Sequence, residues 1–168
     1  AHFAQALAEA TPVAPEIADL SRPVLGYTGV IDERLDLNLL RELAQARPDW
    51  SIAMIGPVVK IDAKDLPGLP NIHYLGKQPY ERLPQFLKGF DVCLMPFALN
   101  DATRYISPTK TLEYMAAHQP IVSTPVPDVV ANWSDVVRIA PDTAGYIAAI
   151  EAALAENEAE RAARWARE

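Results

Sequence analysis

Short apolar segments alternate with segments of helical periodicity along most of this chain of 168 residues. Most of the apolar segments end at Gly or Pro, which is typical of a buried strand followed by a loop. Between them, apolar side chains recur at helical spacing, as Leu37, Leu40 and Leu43 do. This alternation predicts βαβ units and a parallel sheet that is covered on both faces. We therefore expect an α/β fold: a Rossmann-like, doubly wound parallel sheet of about six strands with helices on both faces.

The same pattern divides the chain into segments. The predicted strands are 23–29, 51–56, 71–76, 91–96, 120–124 and 136–139. The predicted helices are 3–10, 36–46, 80–87, 108–117, 142–156 and 158–167. Residues 1–22 are rich in Ala and Pro and are interpreted as a lead-in, residues 23–156 as the α/β domain, and residues 157–168 as a C-terminal helix.

Composition and charge exclude several function classes. Lys and Arg number 15 and Asp and Glu number 22, so the net charge is −7, which disfavours binding to nucleic acid. A single Cys excludes an intrachain disulfide and a zinc site built on paired cysteines, and it fits a cytoplasmic setting. The chain has neither an apolar run of about 20 residues nor a signal-peptide pattern. It begins at Ala1 without Met, so we expect a piece of something longer.

The strongest local signal for chemistry is the run from Ser107 to Glu113. In open parallel sheets, ligands bind beyond the carboxyl ends of the strands, and this run follows a predicted strand and loop. We expect Pro108 to open a helix that Ser107 caps, with Lys110 adding a positive charge that suits a phosphate. Glu113 is one turn further on and suits the hydroxyls of a ribose. The spacing leaves an alternative equally open, in which Ser107 is only a cap and Lys110 and Glu113 form a solvated surface pair.

Two residues after the first predicted strand are further candidates. Gly29 permits close approach of the backbone to a ligand, although a simple bend also explains it. Arg34 is placed to reach a phosphate, although solvation among neighbouring acidic residues is the more common role. The loop contains neither the Gly-x-Gly-x-x-Gly dinucleotide pattern nor a Walker A pattern. Cys93 is predicted to be buried, and the spacing of the His residues predicts no metal site.

Several stretches in this order resemble a known family. They are similar to the C-terminal, donor-binding domain of glycosyltransferases with the GT-B fold, above all the large retaining group called family four. The resemblance covers residues 23 to about 150, and the run that starts at Ser107 is its most specific part. The stretches that carry it are residues 24–29, 71–76, 83–96, 107–117 and 119–123.

The resemblance implies roles for individual residues. Glu113 matches the second Glu of the family's Glu-x7-Glu motif, which holds the donor's ribose hydroxyls. Lys110 matches a position at the donor diphosphate and is the expected catalytic residue, because it would stabilise the leaving diphosphate. Arg34 or Arg104 is the expected helper. The remaining expected donor contacts are Gly29 at the diphosphate, Gly76 and Tyr80 in the loop around the nucleobase, and Ser107, Pro108 and Thr109 at the helix start.

The resemblance also implies ligands and partners. The expected donor is a UDP- or GDP-sugar bound without a metal or other cofactor. Residues 1–22 would lead in from an interdomain linker, and an N-terminal acceptor-binding domain would be missing, so the isolated chain is expected to be inactive. The acceptor would be a glycan or glycolipid of polysaccharide biosynthesis. The expected location is the cytoplasm, with the missing half able to bring the protein to a membrane.

The sequence departs from the family pattern at one informative position. The first Glu of the motif would stand where Tyr105 stands, which leaves the sugar and the stereochemistry of transfer open. This departure favours an alternative function, a non-catalytic nucleotide-binding module with the same fold. A flavodoxin-like or receiver-type regulatory domain is a weaker alternative, because no predicted strand ends in the Asp that a receiver needs.

Overall fold

The structure, a computed structural model, describes residues 2–106 and 108–165. The strands are β1 (Val24–Thr28), β2 (Ser51–Ile55), β3 (Ile72–Gly76), β4 (Val92–Met95), β5 (Ile121–Ser123) and β6 (Arg138–Ile139). The α-helices are α1 (Pro15–Ala18), α2 (Leu37–Ala46), α3 (Leu83–Gly89), α4 (Lys110–Ala116), α5 (Pro127–Trp133), α6 (Thr143–Leu154) and α7 (Glu158–Trp165). Short 3-10 helices cover Phe3–Leu7, Ala63–Asp65 and Tyr80–Arg82.

The strands form one parallel sheet in the order β3-β2-β1-β4-β5-β6. The chain winds outward from β1 to β3, then crosses back to place β4 on the other side of β1. The carboxyl ends of β1 and β4 therefore flank the point where the winding direction reverses, which is where sheets of this kind bind ligands. The predicted fold class is confirmed.

Burial explains why the inner strands are so apolar. Every residue of β1, β2, β4 and β5 is buried, because helices cover both faces of the sheet. The outer strands β3 and β6 include partly exposed residues. Helix α2 packs beside α6, whereas the first 3-10 helix packs beside α3 and α4.

Capping residues determine where two of the helices begin. The Asp36 carboxylate accepts a hydrogen bond from the Leu39 N–H at 3.0 Å and caps α2. Asp142 caps α6 in the same way, through the Gly145 N–H at 2.7 Å. In α2, the side facing the core carries Leu40 and Leu43, as the helical spacing predicted.

Three helices differ from the sequence prediction. Helix α4 begins at Lys110, so Pro108 is not its first residue. The first hydrogen bond between residues four apart runs from the Glu113 N–H to the Thr109 carbonyl at 3.2 Å. Helix α5 was not predicted, because Pro127 at its start obscured the helical spacing of the apolar residues that follow. The first turn of a helix nevertheless tolerates Pro. The short helix α1 lies in the predicted lead-in. The predicted cap, Ser107, lies outside the described residues, and the predicted domain boundaries stay a prediction.

A close contact in the core fixes the middle of β1. The ring of Phe90, which is almost fully buried, lies against Gly26 so closely that a Cβ there would be 2.3 Å from ring carbons. No side chain fits between β1 and this ring. Only glycine, which has no Cβ, therefore fits at position 26.

We expect Gly26→Ala to lower the free energy of unfolding by roughly 1–3 kcal/mol, the cost of overpacking a well-filled core. Alanine ordinarily stabilises a strand relative to glycine, so the sign of the effect is informative. Urea unfolding would measure it. Gly68→Ala is the matched control, because a Cβ at Gly68 meets nothing within 4 Å. Equal stability of the two variants would contradict the interpretation.

Candidate donor site

A surface of bare backbone lies at the carboxyl ends of β1, β2 and β3. Gly29, Gly56 and Gly76 stand there with φ angles of +143°, +148° and +70°. The Gly29 N–H donates to the Ile55 carbonyl at 2.8 Å, and the Gly56 N–H donates to the Gly76 carbonyl at 2.9 Å. A Cβ on Gly56 would lie 1.7 Å from the Gly29 oxygen, so the two loops touch without any side chain between them. Of these residues, sequence reasoning missed Gly56, although it ends a predicted strand as Gly29 does.

The side chain of Lys110 lies directly over this glycine surface. A Cβ on Gly29 would be 2.3 Å from Lys110 Cε and 2.8 Å from Nζ. The ammonium is also 3.9 Å from the Glu113 carboxylate. Only 20% of the Lys110 side chain and 23% of the Glu113 side chain are exposed, so a solvated surface pair does not describe them. The cation is held between bare backbone on one side and a carboxylate on the other.

The environment of Glu113 disfavours its charge. Burial raises the pKa of this carboxyl, and the charges of Lys110 and His2 offset the increase only in part, so the pKa stays above its ordinary value of 4.5. A partly buried carboxylate of this kind gains most from a ligand that donates hydrogen bonds, such as a pair of hydroxyl groups.

A cavity of about 200 Å³ opens beside Lys110. It lies between the loop that follows β1 and the loop that precedes α4. Its lining residues are Tyr27, Val30, Arg34, Phe97, Ile106, Pro108, Thr109 and Lys110. Of the predicted donor contacts, the structure thus brings Arg34, Pro108 and Thr109 to the same cavity as Lys110, with Gly29 under the Lys110 side chain.

A buried carboxylate holds Arg34 in place. Asp32, whose side chain is 5% exposed, accepts hydrogen bonds from Arg34 Nε at 3.1 Å and lies 3.0 Å from Nη2. Burial alone would raise the pKa of Asp32, but the hydrogen bonds from Arg34 outweigh it and the pKa is lowered. Both groups are therefore charged at neutral pH, and the guanidinium is oriented at the rim of the cavity.

Two tyrosines that sequence reasoning missed hold the backbone near the cavity, Tyr114 between elements and Tyr27 within its own loop. The buried Tyr114 hydroxyl accepts a hydrogen bond from the Thr28 N–H at 3.1 Å and donates one to the Leu94 carbonyl at 3.2 Å. It thus joins α4 to the ends of β1 and β4. The Tyr27 hydroxyl donates to the Val30 carbonyl at 2.7 Å, and burial raises the pKa of this phenol, which stays neutral. The Tyr114 contacts have no sequence signal because they depend on tertiary packing, whereas the Tyr27 bond joins residues three apart in the chain.

Two predicted residues, Tyr80 and Arg104, do not line the Lys110 cavity. Tyr80 is away from the Lys110 cavity, and its exposed ring stacks on His2. Arg104, the expected alternative helper, borders a separate surface pocket with Leu99, and its guanidinium lies over the Tyr105 ring at 5.4 Å, so its role as a helper stays a prediction. Tyr105 itself is 85% exposed. Cys93 is fully buried and burial raises the pKa of its thiol, as expected of a core residue.

Neither a metal site nor a membrane span is found in the part of the chain that the structure describes. Over residues 2–106 and 108–165, His, Cys, Asp and Glu form no group of three or more that could hold a metal ion. Within the same residues, each helix is too short or too polar to cross a bilayer.

We expect Tyr114→Phe to lower the free energy of unfolding by about 1–3 kcal/mol, because it leaves the buried Thr28 N–H without a partner. Thermal or urea unfolding would measure the loss. Tyr105→Phe removes a hydroxyl from an exposed ring and is the matched control, with no expected change. If the Tyr114 variant kept the original stability, the proposed tie between α4 and the strand ends would be wrong.

We also expect the free energy of unfolding of the original protein to decrease, relative to that of the Glu113→Gln variant, as pH rises. A carboxyl whose pKa is raised on folding stabilises the native state below its unfolded pKa and loses that contribution as pH rises through the folded pKa. Glutamine does not ionise, so the variant should become more stable relative to the original protein between pH 4 and pH 7. Urea unfolding at both values tests this, with Glu81→Gln as the exposed control. A constant difference between the two proteins would contradict it.

Comparisons with known proteins identify a family for this chain. Residues 22–156 match the family described as glycosyl transferases group 1. A Bacillus subtilis protein provisionally named as the teichuronic acid biosynthesis glycosyltransferase TuaH is 30% identical over 107 residues. That match covers 62% of this chain and 27% of the TuaH sequence.

Solved structures share the fold. HepE of Anabaena, in complex with UDP and glucose, superposes with a TM-score of 0.64 at 14% identity, over 93% of this chain and 46% of its own. An α,α-trehalose-phosphate synthase (UDP-forming) of Burkholderia xenovorans, in complex with glucose-6-phosphate, gives 0.67 at 20% identity, over 99% and 43%. The chain thus spans about a quarter of the curated relative and under half of each structure. The resemblance to GT-B glycosyltransferases is confirmed, and because the family match covers most of its residues, the chain belongs to the glycosyl transferases group 1 family.

Proposed function

We propose that this chain is the donor-binding half of a glycosyltransferase that moves a sugar from a UDP- or GDP-sugar to a glycan or glycolipid. One observation carries the proposal: the Lys110 ammonium lies over Gly29, where no side chain fits, and 3.9 Å from the Glu113 carboxylate. A nucleoside diphosphate carries the two complementary groups, an anionic diphosphate for the lysine and a ribose diol for the carboxylate.

Each group at the site has a role in this proposal. Lys110 binds the diphosphate and stabilises the negative charge that grows as the bond to the sugar breaks. The bare backbone at Gly29 lets the Lys110 side chain lie against it, which fixes the ammonium where the diphosphate would bind. Arg34, oriented by Asp32, adds a second positive charge at the rim of the cavity. The main contribution of the chain is therefore a preorganised positive site for the leaving group, and no metal is proposed to take part.

The donor and acceptor classes are supported by what similar proteins bind or make. HepE was solved with UDP and glucose, and the trehalose-phosphate synthase is named as UDP-forming. TuaH is named for teichuronic acid biosynthesis, which supports a glycan acceptor. Because the chain spans only part of these proteins, we propose that an acceptor-binding half precedes it and that the chain alone does not transfer sugar. A cytoplasmic location with contact to a membrane through that half is part of the proposal.

We expect the 168-residue chain to bind UDP or GDP more tightly than ADP, with amide chemical-shift changes around Gly29 and residues 108–113. Lys110→Met should weaken the binding roughly 10- to 100-fold, the value of a charge-assisted contact of about 1.5–3 kcal/mol. NMR titration would measure both affinities. Lys64→Met is the matched control, because Lys64 is highly exposed and does not line the cavity.

Two results would decide against the proposal. Absence of binding to UDP, GDP and ADP at millimolar concentration would contradict the donor site. Binding by a protein that contains both halves, without hydrolysis or transfer of the sugar, would favour a non-catalytic nucleotide-binding module. The exposed Tyr105, at the position where the family pattern has Glu, is the observation that keeps this second function open.

A further inference from the structure

The phenol of Tyr27 lies beside the ammonium of Lys110 in the proposed donor site. Both residues line the cavity that opens there. A Cβ on Gly29 would lie 2.9 Å from the Tyr27 hydroxyl oxygen and 2.8 Å from Lys110 Nζ. Both atoms thus lie within contact distance of one point, so the phenol oxygen and the ammonium are neighbours at the bare backbone of Gly29.

The Tyr27 hydroxyl has a fixed orientation. Its one proton is donated to the Val30 carbonyl at 2.7 Å, and the residue is only 2% exposed. A phenol has a single O–H donor, whereas its oxygen also accepts hydrogen bonds. Because Val30 takes the proton, the oxygen is left to accept, which suits a neighbouring cation. Burial raises the pKa of this phenol, so it stays neutral and adds no charge that would repel a diphosphate.

The Glu113 carboxylate alone does not fix the position of the ammonium. It lies 3.9 Å from Lys110 Nζ, which is longer than a hydrogen bond. In the proposed function this carboxylate also binds the ribose of the donor. Tyr27, in contrast, belongs to β1 and is paired with Met54 of β2, so its ring starts from the rigid sheet. The phenol oxygen is therefore an acceptor whose position relative to Gly29 does not depend on the ligand.

We propose that Tyr27 is a positioning residue for Lys110: its phenol oxygen holds the ammonium against Gly29, where the diphosphate of the donor binds. The inference rests on the proposed function, because it concerns the diphosphate end of the same site. Tyr27 acts through the lysine and makes no contact of its own with the donor. It adds a buried side chain of β1 to a site whose charged groups come from the loop after β1 and from α4.

The test compares the affinities for UDP, GDP and inorganic pyrophosphate in the 168-residue chain and its variants. Tyr27→Phe removes the phenol oxygen and keeps the ring. It should weaken pyrophosphate and the preferred nucleoside diphosphate by the same factor, about three- to tenfold, the magnitude of one lost hydrogen bond. In a Lys110→Met background, Tyr27→Phe should change the affinity for that nucleotide less than about twofold, because its effect acts through the lysine.

Tyr146→Phe is the matched control. Tyr146 is also buried, and its hydroxyl donates to the Val122 carbonyl at 2.8 Å, but it does not line the Lys110 cavity. Each variant thus removes a hydrogen bond from a buried phenol to a backbone carbonyl. Thermal unfolding should show similar losses of stability in the two variants, whereas only Tyr27→Phe should lose affinity for pyrophosphate and nucleotide.

The outcomes separate the two proposals. Unchanged affinity in Tyr27→Phe, with normal binding by the original chain, overturns the role of Tyr27 alone. Equal losses of affinity in Tyr27→Phe and Tyr146→Phe also overturn it, because that pattern indicates general loosening of the fold. So does a full effect of Tyr27→Phe in the Lys110→Met background, since the phenol would then act without the lysine. Failure of the original chain to bind any of the three ligands overturns the proposed function, and the role of Tyr27 with it.

Discussion

Contact between two backbones organises the functional edge of this protein. Gly29 and Gly56 meet with no room for a Cβ, and hydrogen bonds link their loops to the ends of the neighbouring strands. Because no side chain rises from this surface, the long side chain of Lys110 can lie flat on it. The position of the positive charge thus depends on the lack of side chains at Gly29 and Gly56 as much as on α4 itself.

The polar groups around the cavity hold one another in place. Asp32 fixes Arg34, Tyr114 ties α4 to β1 and β4, and Glu113 lies beside Lys110. Preorganised charge of this kind stabilises a leaving anion without the cost of reorienting dipoles during the reaction. Burial raises the pKa of Glu113 above its ordinary value, so the surroundings of this carboxyl disfavour its charged form.

Much of the fold could be predicted from sequence because both faces of the central strands are buried. Strands that are buried on both faces consist of continuous apolar residues, which can be recognised in the sequence. Asp36 is a typical capping residue and therefore indicates the start of α2. The start of α4 could not be predicted, since Pro108 suits a first turn but the chain forms a turn before the helix begins. For the site, spacing placed Lys110 and Glu113 together. It gave no sign of the contacts of Tyr114, because these join residues that only the folded sheet brings near.

The reversal of winding between β1 and β4 has a consequence for how the chain folds. Gly29 follows the first strand, and Lys110 comes only after the fourth, so the two meet through a contact of very long sequence separation. Parallel sheets with such contacts form slowly, since chain entropy must be lost before the contact stabilises anything. A nucleotide that binds only the completed site shifts the folding equilibrium toward the native chain by mass action. The nucleotide of the proposed donor is thereby expected to stabilise the folded domain.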